Sequence, residues 1–369
     1  MAAKTKAKKP QDKFELLWQQ TLSDYVTAMA WRPATTDLIA ASAAGEVVLC
    51  RVNSPEADST LIFQAATDQS IDCLAVSSDG QFVAAAGQSG EVKIWRLAEL
   101  TTSEPAPVAL LQNAPAWVDR MAWNPRCNQL AFSLGKYVQV WDAEASEIVA
   151  TLNFDSSSVL DITWHPDGDR LTVAGYQSVK VWSASDWDED PSMMQIASAS
   201  TIVLWSPDGQ YIASGNLDKT ISVVAWDNPG APWVMRGFPG KIRQLAWTDQ
   251  PQTQKAPLLA SASTDSIVVW ERHANDAIGW EGRVLGQHDN QIQAMQFQPQ
   301  STTLASAGTD CWLVLWSKAS RIGQMLEGAP SGFSTLSWHP QGQQLAAGGQ
   351  AGELIVWAKT KRGQGFGQK

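Results

Sequence analysis

Short bursts of alternating apolar and polar residues recur along the chain, as in "VKIW" ending at Trp95, "VQVW" ending at Trp141 and "LIVW" ending at Trp357. A period of two predicts β-strands. Each burst follows a run of small residues, "AAAG" at 84–87 or "LASAG" at 304–308, and a turn rich in Gly, Asp or Ser. Before the small run stands another apolar strand ending in tryptophan and a tight turn, "ITWHPDG" at 162–168 or "LSWHPQG" at 336–342. The local order is therefore apolar strand, turn, small-residue strand, hairpin, β-branched strand with an aromatic end. Turn density and period-two patterning together argue against helical repeats.

This unit occurs eight times. Its closing residues are Cys50, Trp95, Trp141, Trp182, Trp226, Trp270, Trp316 and Trp357, separated by 45, 46, 41, 44, 44, 46 and 41 residues. A period of roughly 40 to 45 residues, built of strands and Pro-Asp-Gly turns, predicts the blades of a β-propeller. Only "AKTKRGQGFGQK" follows Trp357, too polar and glycine-rich for an outer strand. In contrast "FELLWQQTL", residues 14–22, carries alternating apolar positions just before the first inner strand. The expected fold is all-β, one propeller of eight four-stranded blades whose ring is closed by this N-terminal strand. Seven blades are the alternative, because the first repeat closes on Cys50 instead of tryptophan.

The repeats resemble the WD-repeat family, in which each unit supplies four strands of a propeller blade. The resemblance covers residues 14–358, although at the repeat-closing position the Trp-Asp dipeptide stands only at Trp141-Asp142 and Trp226-Asp227. It implies that His288, Ser306, Asp310 and Trp316 form one hydrogen-bonded group. The aspartate would take the imidazole proton, the imidazole would meet the serine hydroxyl, and the hydroxyl would meet the indole N–H. A Ser-His-Asp set also suggests catalysis, but a serine placed inside a blade under a tryptophan is out of reach of substrate, so a structural network is expected. Ala347 and Ala351 replace the serine and aspartate in the eighth repeat, and Phe238 stands where the sixth would need histidine; packing is expected to take over there.

Composition adds the rest. With 44% apolar and 17% charged residues, the 369-residue chain can bury a sizeable core. The net charge of -10 is unevenly spread. Residues 1–13 and 359–369 are expected to be disordered basic tails; they hold nine of the 27 Lys and Arg but one of the 37 Asp and Glu, leaving 18 against 36, or about -18, on residues 14–358. Such a body repels phosphate, so nucleic acid is expected to bind only weakly and only through the tails. No apolar run spans a membrane and "MAAKTKAKKPQDK" lacks the apolar segment of a secretory signal, which predicts a cytoplasmic protein without membrane insertion. Cys50, Cys73, Cys127 and Cys311 have no metal-finger spacing and are expected to be reduced, mostly buried thiols.

No reaction is selected. His165 and His339 share one "WHP" turn, His273 has no nucleophile near it, and "GGQAGE" at 348–353 lacks the lysine and helix of a phosphate loop. "SDWDED" at 185–190 lacks the glycine turn and closing glutamate of a calcium loop and reads as a solvated connection. No cofactor or metal is expected. The expected function is a non-catalytic scaffold for protein partners. An enzyme or small-molecule binder using a rim or the central channel, or a tail-assisted nucleic-acid binder, is the alternative. Candidate contacts lie where inner strands emerge on one rim: Tyr25, Asp72, Trp117, Asp119, Lys241, Arg243 and Gln293, acids on the second and third repeats and bases on the sixth. Long connections at 98–107, 183–192, 249–257 and 272–282 belong to the opposite rim.

Overall fold

A computed structural model describes residues 13–53, 60–99, 105–250, 256–275 and 277–360. Most of both basic tails, and the middles of the 98–107 and 249–257 connections, lie outside these residues. Among the described residues, strands account for all regular structure except a short 3-10 turn at Leu97–Glu99. They form six four-stranded antiparallel sheets and one seven-stranded sheet. No helix among the described residues is long and apolar enough to cross a membrane.

Each sheet follows the sequence unit. Its innermost strand ends in a large residue, mostly tryptophan, and its second strand carries small side chains. The second strands "FVAAAG" (Phe82–Gly87) and "LASAS" (Leu259–Ser263) are buried along their whole length. Neighbouring sheets cover both of their faces, so alternation disappears there and only small side chains fit. Outer strands regain it: Trp280–Gly286 buries its two apolar anchors, Trp280 and Leu285, and exposes most of the rest.

The seven-stranded sheet departs from expectation. Ser192–Trp205 is one 14-residue strand that pairs through its first half with Tyr176–Ser183 and through its second with Tyr211–Asn216. The link "ASAS" at 197–200 has no Gly, Pro or Asp to break the strand, so an outer strand runs straight into the next inner one.

Inner strands stand side by side in chain order, from Val26–Trp31 through Ile71–Val76, Met121–Trp123, Asp161–Trp164, Ser192–Trp205, Gln244–Trp247 and Ile292–Phe297 to Phe333–Trp338. Phe333–Trp338 in turn lies against Val26–Trp31. The first strand, Phe14–Thr21, pairs with the last, Glu353–Lys359, Phe14 opposite Lys359 and Thr21 opposite Glu353. One apolar cluster accordingly joins Leu22, Val26, Trp31 and Leu38 to Ala346, Leu354 and Val356.

Four tryptophans at the ends of inner strands clip their sheets to the one before. Trp31 Nε1 donates to the Ser337 carbonyl (3.0 Å), Trp123 to Ala75 (3.1 Å), Trp164 to Ala122 (3.0 Å) and Trp338 to Gln296 (3.2 Å). The turns after Trp338 and Trp123 add a link to the following unit. His339 Nε2 donates to the Thr35 carbonyl (2.7 Å), and Asn124 Nδ2 donates to Gly168 (2.9 Å). Gly209 turns with φ +69, and a Cβ there would collide with the His165 imidazole of the preceding repeat. A backbone glycine is therefore needed both for the turn and for this close approach.

Candidate functional site

The four residues singled out in the seventh repeat lie within hydrogen-bonding reach of one another. The Leu304–Gly308 and Leu313–Ser317 hairpin carries Ser306, Asp310 and Trp316, and the loop before Ile292–Phe297 brings His288 over it. His288 Nδ1 is 2.9 Å from Asp310 Oδ2 and its Nε2 is 2.8 Å from Ser306 Oγ. Trp316 Nε1 donates to the same Ser306 Oγ at 2.9 Å. With Nδ1 protonated toward the carboxylate, Nε2 accepts the serine proton and the serine lone pair accepts the indole N–H. Asp310 also accepts from the backbone N–H of Asp289 (3.1 Å) and Trp312 (3.2 Å). Ser306 is fully buried, with both of its hydrogen-bonding roles taken up inside the sheet.

Other repeats deviate from the expectation that packing alone replaces this group. In the sixth, Ser261 Oγ still accepts from Trp270 Nε1 at 2.9 Å while Phe238 packs on the same indole, ring centroids 5.9 Å apart. The fifth has a different polar hub: Ser214 Oγ lies 2.8 Å from Ser200 Oγ and 2.7 Å from Asn216 Oδ1, and Asn216 Nδ2 donates to Thr220 Oγ1 at 3.0 Å. A buried amide and hydroxyls satisfy each other here without histidine. The eighth repeat, with Ala347, is apolar at the corresponding place.

The rim candidates do not form a single cluster. Trp117 is 62% exposed in the loop that leads into the third inner strand, and Asp119 nearby is exposed as well. Asp72, half-buried on the neighbouring strand, accepts from Ser70 Oγ at 2.7 Å; burial, and secondarily the Asp119 carboxylate, raises its pKa. Lys241 and Arg243 are exposed on the sixth repeat, and Gln293, on the seventh, is half-buried with its carbonyl accepting from Gln244 Nε2 at 2.8 Å. Tyr25, on the first, is half-buried and its hydroxyl pKa is raised by burial.

Sequence reasoning passed over the group that organises the acidic side. Arg120 Nε lies 3.5 Å from Asp161 Oδ1 and donates to the Leu160 carbonyl at 3.0 Å, while Arg120 Nη1 is 3.9 Å from Asp119. Asp161 Oδ2 accepts from the Val203 N–H at 2.8 Å, so one carboxylate joins three successive inner strands. The signal was present: Arg120 and Asp161 hold the same place in consecutive repeats, two residues after Val118 and Val159. Burial pushes the Asp161 pKa up to about 6, against the lowering by the Val203 N–H and Arg120. The folded chain thus keeps a proton that the unfolded chain loses from about pH 4 upward. Folding stability should fall as the pH rises from about 4 to 6, by at most about 3 kcal/mol from this group. Asp161→Asn should flatten that part of a melting-temperature profile. An unchanged slope would assign the pH dependence to other groups.

Among the inner strands lies a cavity of about 650 Å³, lined among others by Thr27, Met29, Gln244, Gln293, Met295 and Thr335. Its polar side chains largely serve neighbouring strands, as Gln244 does. The histidines outside the seventh repeat also serve turns: His165 Nδ1 accepts from the Asp167 N–H at 3.2 Å, and its ring meets Trp205 edge-on at 4.6 Å. "GGQAGE" is a hairpin between Gln344–Gly349 and Glu353–Lys359. Among the described residues no three His, Cys, Asp or Glu side chains gather as metal ligands.

The expectation of mostly buried thiols needs correction. Only Cys50 is fully buried, its pKa pushed up to about 12 by burial. Cys73 and Cys311 are half-buried and Cys127 is exposed, because Cys127 and Cys311 fall in turns rather than strands.

Comparison with known families fits this geometry. A model of the anaphase-promoting complex subunit 4 WD40 domain matches residues 29–110. The model of the WD domain, G-beta repeat, matches residues 146–183, 194–227 and 279–317. The chain belongs to the WD-repeat family. Each matched WD repeat starts on or beside an outer strand and closes at the end of the third strand of the following unit or just past it, as 279–317 runs from Trp280–Gly286 to Leu313–Ser317. The WD repeat is therefore staggered by one strand against the four-stranded sheet. No curated protein matches the chain.

Proposed function

We propose that this WD-repeat protein is a non-catalytic, eight-bladed propeller that docks a protein partner on the rim around Trp117. Eight inner strands in side-by-side sequence support the blade count, with Ser192–Trp205 serving two blades. Closure of the ring by the strand Phe14–Thr21 is supported by its pairing with Glu353–Lys359 and by the Trp31 and His339 hydrogen bonds between the first and last units. The His288, Ser306, Asp310 and Trp316 group is a structural network, since every polar atom in it is committed internally.

WD repeats generally mediate protein–protein interaction, and one matching model describes a subunit of a complex. The observation carrying the docking site is Trp117: an indole 62% exposed where inner strands emerge, flanked by Asp72 and Asp119 with Lys241 and Arg243 farther round the rim. Exposed tryptophan and arginine dominate interface energetics, each costing about 2 kcal/mol or more when truncated. Affinity purification of the tagged chain tests this. Trp117→Ala with Arg243→Ala should lose a partner recovered with the native chain, at an unchanged melting temperature. Full retention of that partner would move docking to the opposite rim.

A further inference from the structure

We propose that the cavity among the inner strands is a binding site for an uncharged, hydroxyl-rich small molecule, a neutral mono- or disaccharide. Its volume of about 650 Å³ lies within the range of about 300 to 1,000 Å³ typical of small-molecule sites. The first, fifth, sixth, seventh and eighth units supply the wall. Among the described residues no charged side chain lines it. The sequence accounts for this. Three residues before the tryptophan that ends the inner strand, the third and fourth units carry Arg120 and Asp161, but the sixth and eighth carry Gln244 and Thr335. Charge is thus kept to one side of the group of inner strands, and amides and hydroxyls stand on the other.

Part of this polar lining is spent on the fold. Thr27 Oγ1 donates to the Ala41 carbonyl at 3.2 Å, Ser334 Oγ donates to the Val26 carbonyl at 2.7 Å, and Gln296 Oε1 accepts from the Trp338 N–H at 2.9 Å. The rest is not. Among the described residues the Gln293 amide and the Thr335 and Ser337 hydroxyls have no protein partner, and Gln244, whose Nε2 reaches the Gln293 carbonyl at 2.8 Å, keeps its Oε1 uncommitted. An amide presents a donor and an acceptor side by side, which matches two adjacent hydroxyls of a sugar. Met29 and Met295 give the same wall soft apolar surface for the C–H face of the ring. Trp247, also at this wall, does not clip its sheet to the one before as Trp31, Trp123, Trp164 and Trp338 do; its Nε1 is buried without a partner. An unspent buried donor is uncommon, and a ligand oxygen at this wall would satisfy it. A charged ligand would surrender its hydration here with no opposite charge to replace it, whereas a neutral polyol exchanges its bonds to water for equivalent ones.

Ligand-observed NMR titration of the full chain with glucose, galactose, maltose and sucrose tests the proposal. The tightest of the four should bind saturably with a Kd of about 1 mM or below. Glucosamine and glucuronate, each differing from glucose in one charged group, should bind at least about tenfold more weakly than it. Gln293→Leu and Thr335→Val, near in size to the residues they replace, should each weaken binding about tenfold at an unchanged melting temperature. Trp117→Ala should leave it unchanged, so that failure of this site and failure of rim docking are read separately. A Kd above about 1 mM for all four neutral sugars would overturn the proposal. Indifference to both substitutions would overturn it as well, by placing the sugar elsewhere on the chain, and so would equal or tighter binding of either charged sugar.

Discussion

A chain lacking residues 1–22 is expected to lose about 5 kcal/mol of stability and to aggregate, whereas one lacking only residues 1–12 should melt like the native protein. The larger truncation removes Phe14 and Leu22, both buried, and Trp18, which packs on the cluster joining the first and last units. Fully burying one such side chain contributes about 1.5 to 3 kcal/mol, which sets the magnitude. The truncation also exposes the whole edge of Glu353–Lys359, whose free N–H and C=O groups become a template for pairing with another molecule. Chemical denaturation and light scattering of the two truncated chains measure both effects. A soluble 23–369 chain with native stability would show that the fold does not depend on this strand.

Asp310→Ala should destabilise by about 1 to 3 kcal/mol. The substitution strands the buried His288 Nδ1 and removes the acceptor for two backbone N–H groups, those of Asp289 and Trp312. Ser306→Ala should have a cost of similar size, because Ser306 Oγ is where the imidazole and the Trp316 indole meet. The double variant should cost clearly less than the sum, since either change alone breaks the same chain of hydrogen bonds. Strict additivity in urea midpoints would mean the residues act separately.

The residues that revealed the fold and those it left hidden differ in where their partners lie. Small second strands such as "LASAG", and closing residues such as Trp316, answer to constraints within one unit, so a repeating pattern reports them directly. Trp31, Trp123 and Trp164 were visible as recurring tryptophans, yet their N–H groups serve carbonyls one repeat earlier, a direction that periodicity does not encode. Arg120 and Asp161 were missed for the same reason, being a pair only across two adjacent strands. The Ser214 hub was hidden because its partners Ser200 and Asn216 stand in line with Ile292 and Gly308 of the seventh repeat, not with His288 and Asp310. Rim residues fared differently again. Their position could be inferred, but exposure depended on the loop around each: Trp117 projects freely while Tyr25 folds halfway into its surroundings.

The antiparallel pairing of Phe14–Thr21 with Glu353–Lys359, fastened at Lys13 and Thr360, also fixes how the molecule responds to mechanical load. Tension applied through its two outermost segments arrives at a single corner and acts across the strands instead of along them. The ladder then opens like a zipper, one hydrogen bond at a time from Lys13 toward Thr21, and no group of bonds shares the force. A pull of this kind would release the first strand at low force and leave the remaining sheets to unravel in succession from both sides. The same molecule gripped at two distant blades would load many bonds at once and resist far longer.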